Sequence, residues 1–176
     1  MSKELILLSL ALALAVAAAI IDVRQRRIPN WLTYPAMAIG VVLRGVLFGW
    51  RGVTSGLAGW ALLGGVMLLF YAVRAMGAGD VKLLAAIGAL AGPRAGFGVL
   101  LATAICGGIL AILYALYRGQ MRATLKNLGS VMWFHARSGF RAHPELNLDN
   151  PATLRMPYGL AIAAGTLYAC LTSWWS

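Results

Sequence analysis

Long apolar segments alternate with short polar ones along this chain, and that alternation predicts its architecture. The apolar segments lie at about residues 5–21, 32–48, 56–73, 81–91, 97–117 and 158–174. A helix needs about 20 apolar residues to cross a bilayer, and only the segment at 81–91 falls far short of that length. We therefore predict an all-α polytopic membrane protein with six transmembrane helices.

Several boundaries of these segments need separate interpretation. The first segment resembles a cleaved signal peptide, but the rest of the chain is equally apolar, so we expect it to be retained as a helix. The segment at 81–91 either begins inside the glycine-rich stretch before it or lies buried among other helices. Turns are predicted at 49–55 and 92–96, and Arg44, near the end of the second segment, is expected to reach the membrane surface.

The region between the fifth and sixth segments, residues 118–155, is the one long polar stretch. Its apolar residues at helical spacing are Met121, Leu125, Leu128 and Met132, and its cations Arg118, Arg122 and Lys126 recur on another face. This pattern predicts an amphipathic helix. Two placements remain open, because periodicity alone does not separate an interfacial helix on the membrane surface from a helix packed on protein.

Composition supports a single membrane domain over 1–176 and orients it. Hydrophobic residues make up 61% of the chain, charged residues 11%, and the mean hydropathy is +0.79, which excludes a soluble globular domain. Of the 15 Lys and Arg residues, eleven lie in or beside the connections after the first, third and fifth segments, including 118–155. The positive-inside rule makes that side cytoplasmic. The net charge of +10 then predicts contact with anionic lipids, not nucleic acid.

Acidic residues are scarce, and two of the five lie at predicted helix boundaries. Asp22 ends the first segment, and Asp80 precedes the fourth in the stretch Gly77-Ala78-Gly79-Asp80. The predicted topology places both at the same membrane depth. An ionisable residue in a membrane segment indicates a functional site, whereas an aspartate beside a helix start also serves as a cap.

Two neighbouring carboxylates in an apolar site suit general acid–base chemistry. Both do not ionise easily together, so one holds a proton while the other accepts one from water. Gly77 and Gly79 would let the backbone bend and a substrate strand approach Asp80. Lys82 either tunes this site or serves as an interfacial cation. No metal or cofactor is expected, and Cys106 and Cys170, both in apolar segments, are interpreted as packing residues.

Three motifs resemble those of the type IV prepilin peptidases, a family of membrane aspartic proteases. Gly77-Ala78-Gly79-Asp80-Val81-Lys82 resembles the family's GxGD motif. Asp22 resembles the family's first aspartate, and the basic turn through Pro29 and Asn30 resembles the turn after that aspartate. Pro157-Tyr158-Gly159 resembles the entry to the family's last helix. The resemblance extends from the first apolar segment to the last.

The resemblance implies an aspartic endopeptidase of the bacterial inner membrane, with Asp22 and Asp80 as its catalytic pair. Its partner would be a precursor of a type IV pilin, an Flp pilin or a pseudopilin, cut on the cytoplasmic side behind a short basic leader. Larger family members also methylate the new N-terminus and carry an insert with paired CxxC motifs. This chain has no such motifs, which argues against methyltransferase activity and matches the short peptidases of Flp or tight-adherence pilus systems.

Two functions from other classes remain as alternatives. A non-catalytic assembly factor of a pilus or secretion platform would use the aspartates only as helix caps. A small proton-coupled transporter would use them on an ion pathway and would place acids near mid-membrane, with inverted-repeat symmetry. The small residues of the third and fourth segments, such as Gly59 and Gly88, would either receive a substrate helix or pack the protein's own helices.

Overall fold

A computed structural model describes residues 2–139 and 156–174, and this part of the chain is helical, with no strand. The helices are α1 (Lys3–Gln25), α2 (Asn30–Phe48), α3 (Trp50–Ala72), α4 (Ala78–Tyr117), α5 (Met121–Ser138) and α6 (Gly159–Trp174). By length and composition, α1 to α4 are each able to cross a membrane, and α6 is a shorter apolar helix. The prediction of an all-α membrane protein is confirmed.

The fourth helix contains two of the predicted segments, because a kink divides it. Gly92 has φ 73° and ψ 177°, whereas the residues on both sides are helical. That φ favours glycine, and Pro93 fits directly after it because the first position of a helix has no use for a backbone N–H. We call the part before the kink α4a (78–91) and the part after it α4b (93–117). Counted in this way, the described residues form six apolar helical segments.

Two predicted turns were wrong in extent. Gly49 alone separates α2 from α3, with φ 64°, so residues 50–55 are helical. Gly92 alone interrupts α4, so the predicted turn at 92–96 is a one-residue kink. In both places a glycine with positive φ redirects the chain without a longer loop.

The short fourth segment combines both of the expected explanations. Its helix begins at Ala78, inside the glycine-rich stretch, and residues 83–92 are buried without interruption. Its 14 residues give a length of about 21 Å at 1.5 Å per residue, less than the bilayer core of about 30 Å. The helix is therefore enclosed by its neighbours and is too short to cross the bilayer core by itself.

The contact between α3 and α4a depends on glycine. A Cβ built on Gly59 would overlap the backbone of Gly88 and Gly92, and one built on Gly88 would overlap the backbone of Gly59. Gly64 likewise lies against Ala85, whereas nothing lies within 4 Å of a Cβ at Gly65. Of the two roles left open for these small residues, packing of the protein's own helices is therefore the one the structure shows for Gly59 and Gly88.

This contact predicts a difference between two substitutions in the same helix. Gly59→Ala should lower the free energy of unfolding by about 1–3 kcal/mol, because overpacked helices must separate. Gly65→Ala should be neutral or stabilising by up to about 1 kcal/mol, because alanine favours a helix where space is free. Thermal unfolding of both variants in detergent measures the difference, and equal melting temperatures would contradict the interpretation.

The predicted amphipathic helix is present as α5, directly after α4. Its apolar residues Leu125, Leu128 and Met132 are 60%, 56% and 66% exposed. Among the described helices α5 contacts only α4. The helix is thus confirmed, and Leu125, Leu128 and Met132 of its predicted apolar face are exposed.

The interpretation of Arg44 as a surface-reaching cation is wrong. Arg44 is only 4% exposed and forms an ion pair with Glu4 at 3.0 Å. The two residues lie 40 positions apart, on α2 and α1. Sequence spacing gave no signal for a pair that only the packing of the helices creates.

Candidate active site

Asp22 lies in the last turns of α1 and is buried, with 7% of its surface exposed. The helix ends because Arg26 adopts the left-handed conformation, φ 51° and ψ 35°, while its N–H donates to the carbonyl of Asp22 at 2.7 Å. The chain then leaves the helix through 26–29. The carboxylate of Asp22 is therefore held at the point where α1 turns towards α2.

The start of α6 supplies a direct partner for this carboxylate. The N–H of Gly159 donates to Oδ2 of Asp22 at 2.9 Å. Gly159 is the first residue of α6, where backbone N–H groups have no acceptor within the helix. A hydrogen bond from such a group to a carboxylate is charge-assisted and short. It fixes the orientation of the Asp22 side chain from a residue 137 positions away.

Asp80 lies in the first turn of α4a, three residues after Gly77, which occupies the N-cap position. A Cβ built on Gly77 would lie 3.2 Å from Oδ2 of Asp80. The carboxylate thus folds back over the start of its own helix, in the manner of the third residue of a capping box. The capping role and the functional role of Asp80 are therefore compatible, because the same carboxylate also borders a cavity.

Both aspartates border one cavity of about 340 Å³. Its lining residues are Asp22, Arg26, Arg27, Ile28, Asn30, Gly77, Ala78, Gly79, Asp80 and Lys82. The lining thus comes from the end of α1, the 26–29 connection, and the starts of α2 and α4a. Two acidic side chains separated by 58 positions in the sequence are brought to one concave site.

Lys82 connects two of the elements that line the cavity. Its Nζ donates to Oδ1 of Asn30 at 3.0 Å and lies 4.9 Å from the centre of the Tyr34 ring. It therefore braces the start of α2 against the start of α4a. Asn30 is the first residue of α2, and Pro29 before it occupies the N-cap position without a side-chain capping bond. The Asn30 side chain lines the cavity and accepts the hydrogen bond from Lys82.

Gly79 has a role in packing, not in bending. It is helical, and a Cβ there would lie 3.0 Å from Cβ of Ile28. Ile28 is 6% exposed, so the 26–29 connection packs directly on α4a. Gly77 has φ −76° and ψ 146°, a conformation that any residue adopts, so the turn before α4a does not require glycine at that position.

The third motif completes the site from the side of α6. Gly159 is buried against α1, and Tyr158 before it packs on α4b, where a Cβ on Gly107 would lie 2.8 Å from the Tyr158 hydroxyl. Pro157 precedes them and is partly buried. The three motifs therefore meet in space, and the third motif contacts Asp22 through the Gly159 hydrogen bond.

This geometry supports acid–base chemistry on a bound amide. Two carboxyl groups line one concave site, and such a pair can serve as proton acceptor and proton donor towards a bound water molecule and a peptide carbonyl. The cations Arg26, Arg27 and Lys82 give the mouth of the cavity a positive charge. The sequence indicated both aspartates. It did not indicate the Gly159 hydrogen bond or the packing of Ile28 on Gly79, since neither contact leaves a periodic or compositional signal.

Comparison with known proteins points to one family. The family model described as "Type IV leader peptidase family" matches residues 8–112. The chain is also 33% identical over 110 residues to a prepilin leader peptidase/N-methyltransferase of Xanthomonas campestris pv. campestris. That match covers 59% of this chain and 38% of the relative, so the chain spans well under half the relative's length. No solved structure gives a significant match.

Proposed function

The chain belongs to the type IV leader peptidase family, and we propose that it is a membrane-embedded aspartic endopeptidase with Asp22 and Asp80 as its catalytic pair. One observation carries the proposal: carboxyl groups from two different helices line the same cavity. The proposal covers the peptidase step alone, since the two cysteines of the chain form no CxxC motif.

The reaction we propose is hydrolysis of one peptide bond by these two carboxyl groups. The ionised carboxylate removes a proton from water, whose oxygen bonds to the peptide carbonyl carbon, while the protonated carboxyl gives its proton to the carbonyl oxygen. The tetrahedral intermediate collapses when the C–N bond breaks: the carboxyl group that took the proton from water gives it to the amine nitrogen, and the other carboxylate takes a proton from one hydroxyl of the intermediate. The products are a free carboxyl end and a free amino end. Because such a pair titrates as a unit, we assign the roles to the pair.

The substrate we propose is the precursor of a type IV pilin-like protein, such as an Flp pilin or a pseudopilin. The family description and the name of the Xanthomonas relative support this substrate class. The excess of Lys and Arg in the connections that border the aspartates supports a site at the cytoplasmic face of a bacterial inner membrane. The direct test is co-expression with candidate precursors, followed by N-terminal sequencing of each product; unprocessed precursors throughout would contradict it.

We propose that α5 lies on an anionic lipid surface. Its exposed residues Leu125 and Leu128 offer apolar contact, Arg122 and Lys126 offer charge, and α5 contains no acidic residue. This is the pattern of an interfacial helix.

A fluorophore attached through Leu128→Cys tests this placement in nanodiscs. The fluorophore should report a less polar environment with anionic lipid than with zwitterionic lipid. Combined Arg122→Gln and Lys126→Gln changes should remove that difference, and the absence of any difference between the two lipids in the parent protein would favour packing on protein.

The close packing of Ile28 on Gly79 predicts that adding one methyl group at position 79 will lower activity. In Gly79→Ala the new Cβ meets the Cβ and backbone of Ile28, at 3.0 Å or slightly more, so the 26–29 connection must move. Because small displacements of reacting groups lower rates steeply, kcat should fall roughly tenfold or more. Gly98→Ala, also on α4 with nothing within 4 Å, is the matched control and should keep wild-type activity. Equal activities would contradict this role for Gly79.

A further inference from the structure

A buried arginine on α2 bonds to three other helices at the ends that lie away from the cavity. Nη1 of Arg44 donates to the carbonyl of Leu90 at 2.8 Å and to Glu4 at 3.1 Å. Nη2 donates to Glu4 at 3.0 Å and to the hydroxyl of Ser55 at 3.1 Å. One guanidinium group thus contacts α1, α3 and α4a at once.

The kink at Gly92 explains why this arginine has an acceptor. A carbonyl in a continuous helix accepts from the N–H four residues later, and the last carbonyls before a break lack that donor. Gly92 breaks the helical geometry two residues after Leu90, and Arg44 supplies a donor there. Its positive charge also suits the negative end of the α4a dipole. A Cβ on Gly92 would lie 2.9 Å from the guanidinium carbon, so this glycine leaves the space that Arg44 fills.

Two of the three helices joined in this way, α1 and α4a, carry the aspartates. Glu4 lies in the first turn of α1 and Asp22 in its last turns, about 27 Å away at 1.5 Å per residue. Leu90 lies in the last turn of α4a and Asp80 in its first turn, about 15 Å away. A helix is stiff along its axis, so an axial shift at the Arg44 end moves the aspartate at the other end by a similar amount.

We propose that Arg44 is a positioning residue: it sets the axial register of α1 against α4a and thereby the separation of the Asp22 and Asp80 carboxyl groups. The proposal rests on the function proposed above for that pair. A second link at the same end supports it, because Nζ of Lys3 donates to the carbonyl of Leu47 at 2.9 Å. Lys3 and Arg44 also both lie over the Phe48 ring, at 5.8 Å and 5.4 Å from its centre.

Kinetics provide the first test. Arg44→Lys keeps the charge but loses the planar fork that reaches Glu4, Leu90 and Ser55 together. We expect kcat on a cleaved precursor to fall about 10- to 100-fold, because a displacement of about 1 Å between reacting groups costs up to that much, while KM stays within about twofold. Arg51→Gln is the matched control, because Arg51 is an exposed cation at the start of α3 near the same end of the bundle. It should leave both constants unchanged.

Glu4→Ala provides a milder variant if changes at Arg44 prevent folding. Glu4 is 49% exposed, and although its removal takes the counter-ion from the buried guanidinium of Arg44, that group keeps Leu90 and Ser55 as acceptors. Only the link to α1 is lost. We expect a smaller fall in kcat than for Arg44→Lys, again at unchanged KM. A variant that is folded and has wild-type kcat would overturn the proposal.

The second test measures register without activity. Cysteines replace Asp22 and Asp80 in a chain whose Cys106 and Cys170 are changed to Ala, and bifunctional thiol reagents of graded length join the two positions. We expect Glu4→Ala and Arg44→Lys to change the reagent length that cross-links fastest, and Arg51→Gln to leave it unchanged. An identical length profile in all variants would overturn the proposal. Failure of the parent enzyme to cleave any precursor would count against the proposed function, whereas the cross-linking result still decides the role of Arg44.

Discussion

Replacing Asp80 with Asn is expected to abolish cleavage of a pilin-like precursor while leaving the protein folded in the membrane. The amide has the same shape as the carboxyl group and keeps an oxygen acceptor, so the packing over Gly77 should persist. It neither accepts a proton from water nor donates one to a carbonyl as a carboxyl group does. Because general acid–base catalysis contributes about 10²–10⁴-fold, the expected fall in rate is of at least that order. Gel mobility of the precursor and N-terminal sequencing of any product measure it.

Asp22→Asn should have the same effect for the same reason. Its amide oxygen can still accept the N–H of Gly159, which preserves the contact between α1 and α6. Glu145→Gln removes an acidic residue of the 118–155 segment and serves as the control that should process normally. Normal cleavage by either Asn variant would eliminate the aspartic mechanism. If pilus or secretion assembly persisted with both Asn variants, the two aspartates would be acting as caps in an assembly factor.

The transporter alternative predicts a different arrangement of charge from the one that the structure has. Ion-coupled carriers place their acids near mid-membrane, on discontinuous helices related by an inverted repeat. Here Asp22 ends one helix and Asp80 begins another, and both open to one cavity beside Arg26, Arg27 and Lys82. A discontinuous helix does occur at Gly92, but Arg44 occupies the space at that break. The break is therefore filled by the protein's own charge and not by a site for a transported ion.

The aspartates could be predicted from the sequence because their signal is local. A charge at the edge of an apolar segment is conspicuous, and topology then brings Asp22 and Asp80 to one depth without any knowledge of packing. The amphipathic helix α5 was predictable for the same reason, since its periodicity is contained within 18 residues. Helix ends were less predictable, because Gly49 and Gly92 each redirect the chain within a single residue.

The contacts that hold the site together were not predictable in this way. Arg44 lies in an apolar segment near its end, where reaching the surface is the ordinary behaviour of an arginine. Its partners Glu4 and Leu90 are 40 and 46 positions away, and only the packing of α1, α2 and α4a brings them together. Gly159 presents the same difficulty, because its functional group is a backbone N–H that every residue except proline carries.

Gly159→Ala is expected to lower kcat about 10- to 100-fold with little change in KM. The new Cβ would lie 3.1 Å from Cα of Ala19 and 3.1 Å from both Cβ and Oδ2 of Asp22. Ordinary carbon contacts are about 3.5–4.0 Å, so α6 and α1 must separate at the carboxylate. That movement lengthens the N–H···Oδ2 hydrogen bond and frees the Asp22 side chain to rotate. A loss of orientation affects the chemical step more than the binding of a substrate helix.

A second glycine of α6 separates this effect from a general loosening of the helix. A Cβ on Gly165 would overlap Thr103 of α4b, away from Asp22. Gly165→Ala should therefore lower the melting temperature in detergent but leave kcat per folded enzyme close to wild type. If Gly159→Ala and Gly165→Ala lost kcat in the same proportion as stability, packing of α6 alone would account for both. A selective loss of kcat in Gly159→Ala would instead assign the backbone N–H of Gly159 to the orientation of Asp22.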